Sequence, residues 1–366
     1  MKVLHLPTSV GGNAWGLSRG ERALGLDSSV LVLMQNWLNY PSDINLNLQN
    51  VPSSLGRLTK LMSAFLSIRK EYDIFHFNFG RSLLSLPYHV MPSLPLLLKY
   101  FNHIDLPFYP ERAKLFVTYN GCDARQKYPT MQRTAIAACH NENCSSGLCN
   151  SGKLDEYKRH GIEKMKRHVR HAWALNPDLL HFLPREKSSF LPYAISWDGL
   201  EYAPPRFEKK LKIIHAPTNK EAKGSDYILA ALRDVQKTHA DYIDVKLIEN
   251  VPHEQALEMY RHADLVIDQV LIGWYGGFAV EVMKMGKPVI SRIAKEDIPF
   301  LPRKMADDVL ETIITSEKDT LYEVLVRCIE DRAFLKRRSE ASQEYVHRWH
   351  DPKYVASLTK ERYEAD

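Results

Sequence analysis

Cysteine is scarce in this 366-residue sequence: there are five, an odd number. That excludes a disulfide-stapled scaffold, which needs dense, paired cysteines to make up for a small core. Long unbroken apolar runs are missing too. The longest uncharged stretch, residues 82–98, carries Pro87, Pro92, Pro95 and His89. Three prolines in so short a run argue against a simple membrane-spanning helix. The opening MKVLHLPTSVGG has one Lys and a short apolar run broken by Pro7, without the longer apolar core of a secretion signal. The expectation is a cytoplasmic protein, peripheral at most to the inner face of a membrane. A strong excess of one charge is also absent, since 49 Lys and Arg against 44 Asp and Glu give +5. That suits phosphate-bearing ligands but is too little to coat a nucleic acid, and no nucleic-acid partner is expected.

What is present is ordinary for a globular chain: 45% hydrophobic, 25% charged and 10% aromatic residues. The length suggests two domains of about 150 residues or more. Apolar runs read as strands at Lys2–Leu6, Ser29–Leu33, Asp73–Phe77, Lys114–Thr118 and His171–Leu175. Helical patterns fall between them at Ala14–Gly25, Leu55–Lys70, Ser82–Phe101, Thr130–Ala138 and Lys153–Arg170. The series then restarts, with strands at Leu211–His215, Asp244–Ile248, Asp264–Ile267, Pro288–Ser291 and Glu311–Ile314. Helices are expected at Ser225–His239, His253–His262, Phe278–Met285 and Leu321–Ser342. Strands that are apolar throughout, alternating with helices, signal parallel sheets covered on both faces. The predicted fold is therefore α/β, with two Rossmann-like doubly wound domains facing across a cleft. A proline-rich stretch at 191–210 reads as the linker. The expected division is 1–195 as a first domain, 196–345 as a second, and 346–366 as a helix packing back on the first.

Candidate chemistry sits on three loops. Gly11 and Gly12 follow the first strand, where glycine lets the backbone approach an anion and a helix N-terminus supplies unpaired N–H groups. Asn219, Lys220 and Lys223 lie in the loop after the first strand of the second series, with Lys223 placed before Gly224 to meet a diphosphate. In GWYGGFAVEVMKMGKPVI, Tyr275, Gly276, Gly277 and Phe278 precede a helix carrying Glu281. A carboxylate in so apolar a helix is costly to bury unpaired, so Glu281 is expected to face a polar cleft, with a solvated helix position as the bland alternative.

Together these segments resemble GT-B retaining glycosyltransferases of family 4, whose core runs E-x7-E-A-M-A-x-G-x-P-V-I. Gly11-Gly12 matches the family's N-terminal glycine loop, Asp73-Ile74-Phe75-His76 its D-[IV]-[IV]-H strand, Lys223-Gly224 its K-G, and Ala263–Val266 its A-D-[LIV]-[LIV] strand. The resemblance implies that Glu281 binds the donor ribose and Lys223 the donor diphosphate. It puts Gly273 at the position of the family's first, sugar-contacting Glu. It also puts Asn120 where the family has a sugar-contacting His, with Asp123 and Arg125 close by for acceptor or sugar. The catalytic set it implies is Asn120, Asp123, Lys223 and Glu281. The donor would be a UDP- or GDP-sugar, the acceptor a glycan or lipid-linked hydroxyl, and no divalent metal would be needed. Two rivals remain: a non-catalytic nucleotide- or glycan-binding protein on this fold, and a nucleotide-sugar epimerase.

Two features lie outside that pattern. Cys139, Cys144 and Cys149 are spaced C-x4-C-x4-C, and Cys122 or His140 could complete a tetrahedral structural zinc site. Free thiols in a loop are the competing reading. Residues 153–171 carry seven basic side chains against three acidic ones at helical spacing. Attraction to anionic lipid is one reading of that helix, and a solvated face covering the sheet is the preferred one.

Overall fold

A computed structural model describes residues 1–35, 39–85 and 100–365. The chain forms two compact units: one comprises Met1–Tyr128, Leu148–Ser196 and the chain from Asp351 on, the other Pro129–Gly147 and Trp197–His350. In the first, β1 (Lys2–Leu6), β2 (Asp27–Val32), β3 (Ile44–Asn45), β4 (Ile74–Asn78), β5 (Lys114–Tyr119), β6 (His171–Ala174) and β7 (Ser188–Phe190) make a sheet in the order β3-β2-β1-β4-β5-β6-β7. Every pairing in it is parallel. In the second, β8 (Leu211–His215), β9 (Ile243–Leu247), β10 (Leu265–Gln269), β11 (Val289–Ser291) and β12 (Ile314–Thr315) pair in parallel in the order β12-β11-β10-β8-β9. Two parallel α/β sheets are what the uniformly apolar strands predict; β4 and β10 are buried at every residue.

The sequence misses β3 and β7, which are two and three residues long, too short for periodicity to register. It also misses the helix Arg303–Thr312. The expected helix Leu321–Ser342 is two helices, because Asp331 stops the first and caps the second by accepting the Phe334 N–H at 2.7 Å. Most of the expected helix Ser82–Phe101 lies outside the described residues.

In the first unit the closing helix Pro352–Ala365 packs on helix Asn13–Ala23 through a buried polar network. Tyr363 Oη donates to Glu21 at 3.0 Å and accepts from His76 Nδ1 at 2.6 Å. His76 Nε2 in turn accepts from Thr118 Oγ1 at 2.6 Å, and His5 Nε2 donates to Glu21 at 2.8 Å. Burial, followed by the neighbouring His5 and His171, holds the His76 pKa well below its ordinary value. His76 is thus a neutral ring whose two nitrogens are both used in the fold.

Candidate functional site

In the second unit, the strand ends gather a charged cluster. Lys223 closes the short helix Lys220–Lys223 and donates to the fully buried Asp268 at the end of β10. The other oxygen of Asp268 accepts the Gly276 N–H at 2.9 Å. One carboxylate thus holds both a cation and a helix-entry amide in place. Helix Gly277–Lys284 then begins without a side-chain cap, leaving its first amides available to an anion. The Lys223 ammonium lies 5.6 Å from the Phe278 ring centre, and Tyr260 meets that ring edge-on at 4.9 Å.

Glu281, one turn further along the helix, is 4% exposed, so the solvated alternative does not hold. It accepts from His253 Nε2 at 2.7 Å. Burial works against charge on His253, but the Glu281 hydrogen bond and carboxylate outweigh it and raise its pKa. Tyr260 feels both ends of the cluster: burial, then Glu281 and Asp268, push its phenol pKa up. Lys223 and Glu281 therefore share one neighbourhood.

Other expected donor contacts are turned elsewhere. Asn219 accepts the Ala222 N–H at 2.7 Å as a helix cap, and Lys220 pairs with Glu249 at 2.9 Å. The Tyr275 hydroxyl is spent on Tyr345 at 2.6 Å and His350 at 2.8 Å in the core. Gly273 has φ +90°, and a Cβ there would lie 2.8 Å from Arg292 Nη1 and 2.9 Å from Ala294 Cβ. The space that a glutamate side chain would start from is filled by a buried guanidinium.

In the first unit, Gly11 and Gly12 both take positive φ, 70° and 71°, and open helix Asn13–Ala23. The turn after β5 is held by Asp123, which accepts the Asn120 N–H at 3.0 Å and the Gly121 N–H at 2.6 Å. Burial raises the Asp123 pKa while those amides and Lys158 oppose it. This carboxylate shapes the loop. The Asn120 carbonyl accepts from Asn176 at 2.8 Å, and the Asn120 side-chain oxygen is buried without a partner among the described residues. Arg125, expected near the acceptor, makes a buried two-bond pair with Asp178 at 2.6 and 2.9 Å.

Beside this turn opens a cavity of about 150 Å³ lined by Arg81, Asn102, His103, Tyr119, Asp123 and Tyr157, among others. The Arg81 guanidinium lies over the Phe79 ring and, among the described residues, makes no ion pair. Burial lowers its pKa against the pull of Tyr157 and Asp123. Burial, aided by Lys164, Arg81 and His160, takes the His103 pKa to about 3.

The four-thiol zinc site is not formed within either unit. Cys122 and Cys149 belong to the first, Cys139 and Cys144 to the second. Burial raises the Cys149 thiol pKa. Among the described residues, the one group of three metal-capable side chains is His5, Glu21 and His76, the hydrogen-bonded core network above.

His253, Asp268, Tyr260 and Arg81 are absent from the sequence-derived set. Asp268 carried a readable signal, a carboxylate ending an otherwise apolar strand. His253, 28 residues from Glu281, carried none.

No family model matches this sequence, and no curated protein matches it. Solved structures do. Sucrose-phosphate synthase from Thermosynechococcus elongatus superposes over 100% of this chain and 99% of its own, with TM-score 0.62 at 15% identity. HepE from Anabaena, solved with UDP-glucose, covers 100% of both chains at TM-score 0.61 and 12% identity. UDP-GlcNAc 2-epimerase from Neisseria meningitidis, bound to UDP-GlcNAc, also covers 100% of both, at TM-score 0.51 and 12% identity. At such identities the likeness is one of fold, and the chain has the GT-B type of α/β fold.

Proposed function

We propose that this protein is a retaining glycosyltransferase that moves a sugar from a UDP- or GDP-sugar to a hydroxyl of a glycan or lipid-linked acceptor. The setting would be cell-surface polysaccharide or glycolipid synthesis in the cytoplasm. One observation carries the reading: Lys223, Glu281 and the uncapped start of helix Gly277–Lys284 lie together in the second unit. An ammonium and helix amides suit a departing diphosphate, and a buried carboxylate suits ribose hydroxyls. Held there by Asp268, Lys223 offers its charge at a fixed place, so stabilising the leaving group needs little rearrangement. The acceptor hydroxyl would attack the sugar on the face the diphosphate leaves, and the first-unit cavity lined by Arg81 and Asp123 is the candidate place for the acceptor.

A binding protein without turnover is favoured by two particulars. Asn120 has no proton to exchange, and Gly273 offers no carboxylate. The epimerase reading needs ionisable groups at those same places.

The test is thermal stabilisation by a panel of UDP, GDP and ADP, followed by donor hydrolysis and transfer. UDP or GDP should stabilise the protein, and Glu281→Ala should abolish this and lower turnover at least tenfold, about 1.4 kcal/mol. Stabilisation without hydrolysis or transfer selects the binding protein. A folded protein that responds to none of the three overturns both readings.

A further inference from the structure

The cavity beside the turn after β5 lies wholly within the first unit. Two of its lining residues, Phe79 and His103, take left-handed backbone angles, both at φ 59°. Side chains other than glycine rarely adopt such angles, and those that do gather at binding sites. Gly80 lets the Tyr119 ring come close, since a Cβ there would lie 2.6 Å from Tyr119 Cε1. Another wall is one face of helix Lys153–His168, with Leu154, Tyr157, Lys158, Gly161 and Ile162 at helical spacing. The volume of about 150 Å³ has room for roughly ten waters. That is the space of a single sugar ring.

Three polar groups in this lining have bonding capacity to spare. The Arg81 guanidinium makes no ion pair among the described residues, and residues 86–99, which follow it in the chain, contain no Asp or Glu. His103, 5% exposed, receives the Ser82 N–H on Nδ1 at 3.4 Å and meets the Ser82 and Ser85 hydroxyls there at 3.1 and 2.9 Å. Nδ1 therefore presents its lone pair. Because burial keeps the ring neutral, the proton is on Nε2. Nε2 has no partner among the described residues, and Gly161 makes room for it, since a Cβ there would lie 3.3 Å away. The third group is the Asp123 carboxylate, which accepts the Asn120 and Gly121 amides and has lone pairs left. Lys158 is turned to the Arg125 carbonyl at 2.6 Å.

Two N–H donors, one of them cationic, suit a small anion, and a guanidinium fork matches a carboxylate with two parallel bonds. Asp123 works against a multiply charged phosphate, because like charges repel strongly in a desolvated pocket. A hydroxyl can instead donate to it. A ring carrying one carboxylate and several hydroxyls satisfies all three groups.

We propose that the first-unit cavity binds a hexuronate, with the sugar carboxylate on Arg81 and His103 and a ring hydroxyl on Asp123. This deepens the acceptor reading of the cavity and rests on it for its role: the acceptor would be an acidic glycan ending in a uronic acid.

A ligand-observed NMR titration of the full chain, without nucleotide, tests it. Glucuronate should bind roughly tenfold or more tightly than glucose, and added pyrophosphate should not displace it. Arg81→Gln should remove the preference for glucuronate, and Arg81→Lys, which keeps the charge but loses the fork, should restore only part of it. Both variants should keep the wild-type melting temperature, because Arg81 has no ion pair to break. Equal affinity of the wild type for glucuronate and glucose would overturn the proposal, whether or not a variant folds. So would displacement of glucuronate by pyrophosphate, which would make a phosphate the better ligand, or an undiminished preference in folded Arg81→Gln. If the preference is absent while UDP or GDP still stabilises the protein, the transferase reading stands and the uronate falls. Glucuronate binding by a protein that responds to no nucleotide would keep the sugar-acid site and remove transfer.

Discussion

In the second unit the site's charges meet opposite charges: Lys223 sits on Asp268 and Glu281 on His253. In the first unit the Arg81 guanidinium has no carboxylate within ion-pair distance among the described residues, and the Asn120 side-chain oxygen has no donor. A buried charge is costly unless paired, so the paired cluster persists without a ligand and keeps its shape. The unpaired groups contribute little to the fold, and their polar atoms remain free for a partner. Removing one member should therefore be expensive in the second unit and cheap in the first.

The largest effect should come from Lys223→Ala, which leaves the buried Asp268 carboxylate with the Gly276 amide as its remaining hydrogen-bond partner among the described residues. We expect a loss of about 3 kcal/mol in urea unfolding, together with a fall in turnover of at least tenfold. In Lys223→Ala/Asp268→Ala most of the stability should return while turnover does not, because the double variant removes the stranded charge but not the need for a cation at the diphosphate. If the single variant is as stable as wild type, the contrast between the units fails.

Gly273→Glu comes next. It introduces a glutamate where the resemblance would place one, but at φ +90° and against Arg292 and Ala294. Backbone strain and collision should together cost about 2 kcal/mol, and no gain in donor hydrolysis is expected. A stable variant with faster hydrolysis would show that Arg292 moves aside and that the site tolerates a carboxylate at this position.

His253→Gln sharpens the comparison through pH. The folded-state pKa of His253 is raised, so the stability from its charged bond to Glu281 is fully present below the unfolded value near 6.5 and is lost as pH rises through the folded value. The variant should be less stable than wild type by about 1 kcal/mol at pH about 6, and the gap should shrink by pH about 8.5. A gap that grows with pH would mean that His253 is held neutral.

The architecture was largely legible, because parallel strands buried on both faces read as apolar runs; Leu211–His215 and Ser225–His239 fall on the expected residues. What could not be read depends on contacts between distant residues. Nothing local says that His253 will meet Glu281, or that Tyr275 will spend its hydroxyl on Tyr345 and His350. Spacing also suggested a thiol cluster in residues 122–149, which neither unit forms by itself.

Arg81→Gln should have the smallest effect on stability, and that is what makes it informative. Arg81 lines the cavity and lies over Phe79 with no ion pair to break. Truncating it leaves no carboxylate without a counter-charge, and it removes a cation that burial already disfavours. The change in unfolding free energy should therefore stay within about 0.5 kcal/mol, against about 3 kcal/mol for Lys223→Ala. If the cavity holds the acceptor, the same variant should raise the acceptor KM while stabilisation by UDP or GDP is unchanged, since the donor grip is built from second-unit residues. A large loss of stability would reveal a structural partner for the guanidinium and place Arg81 with Lys223, on the paired side of the comparison.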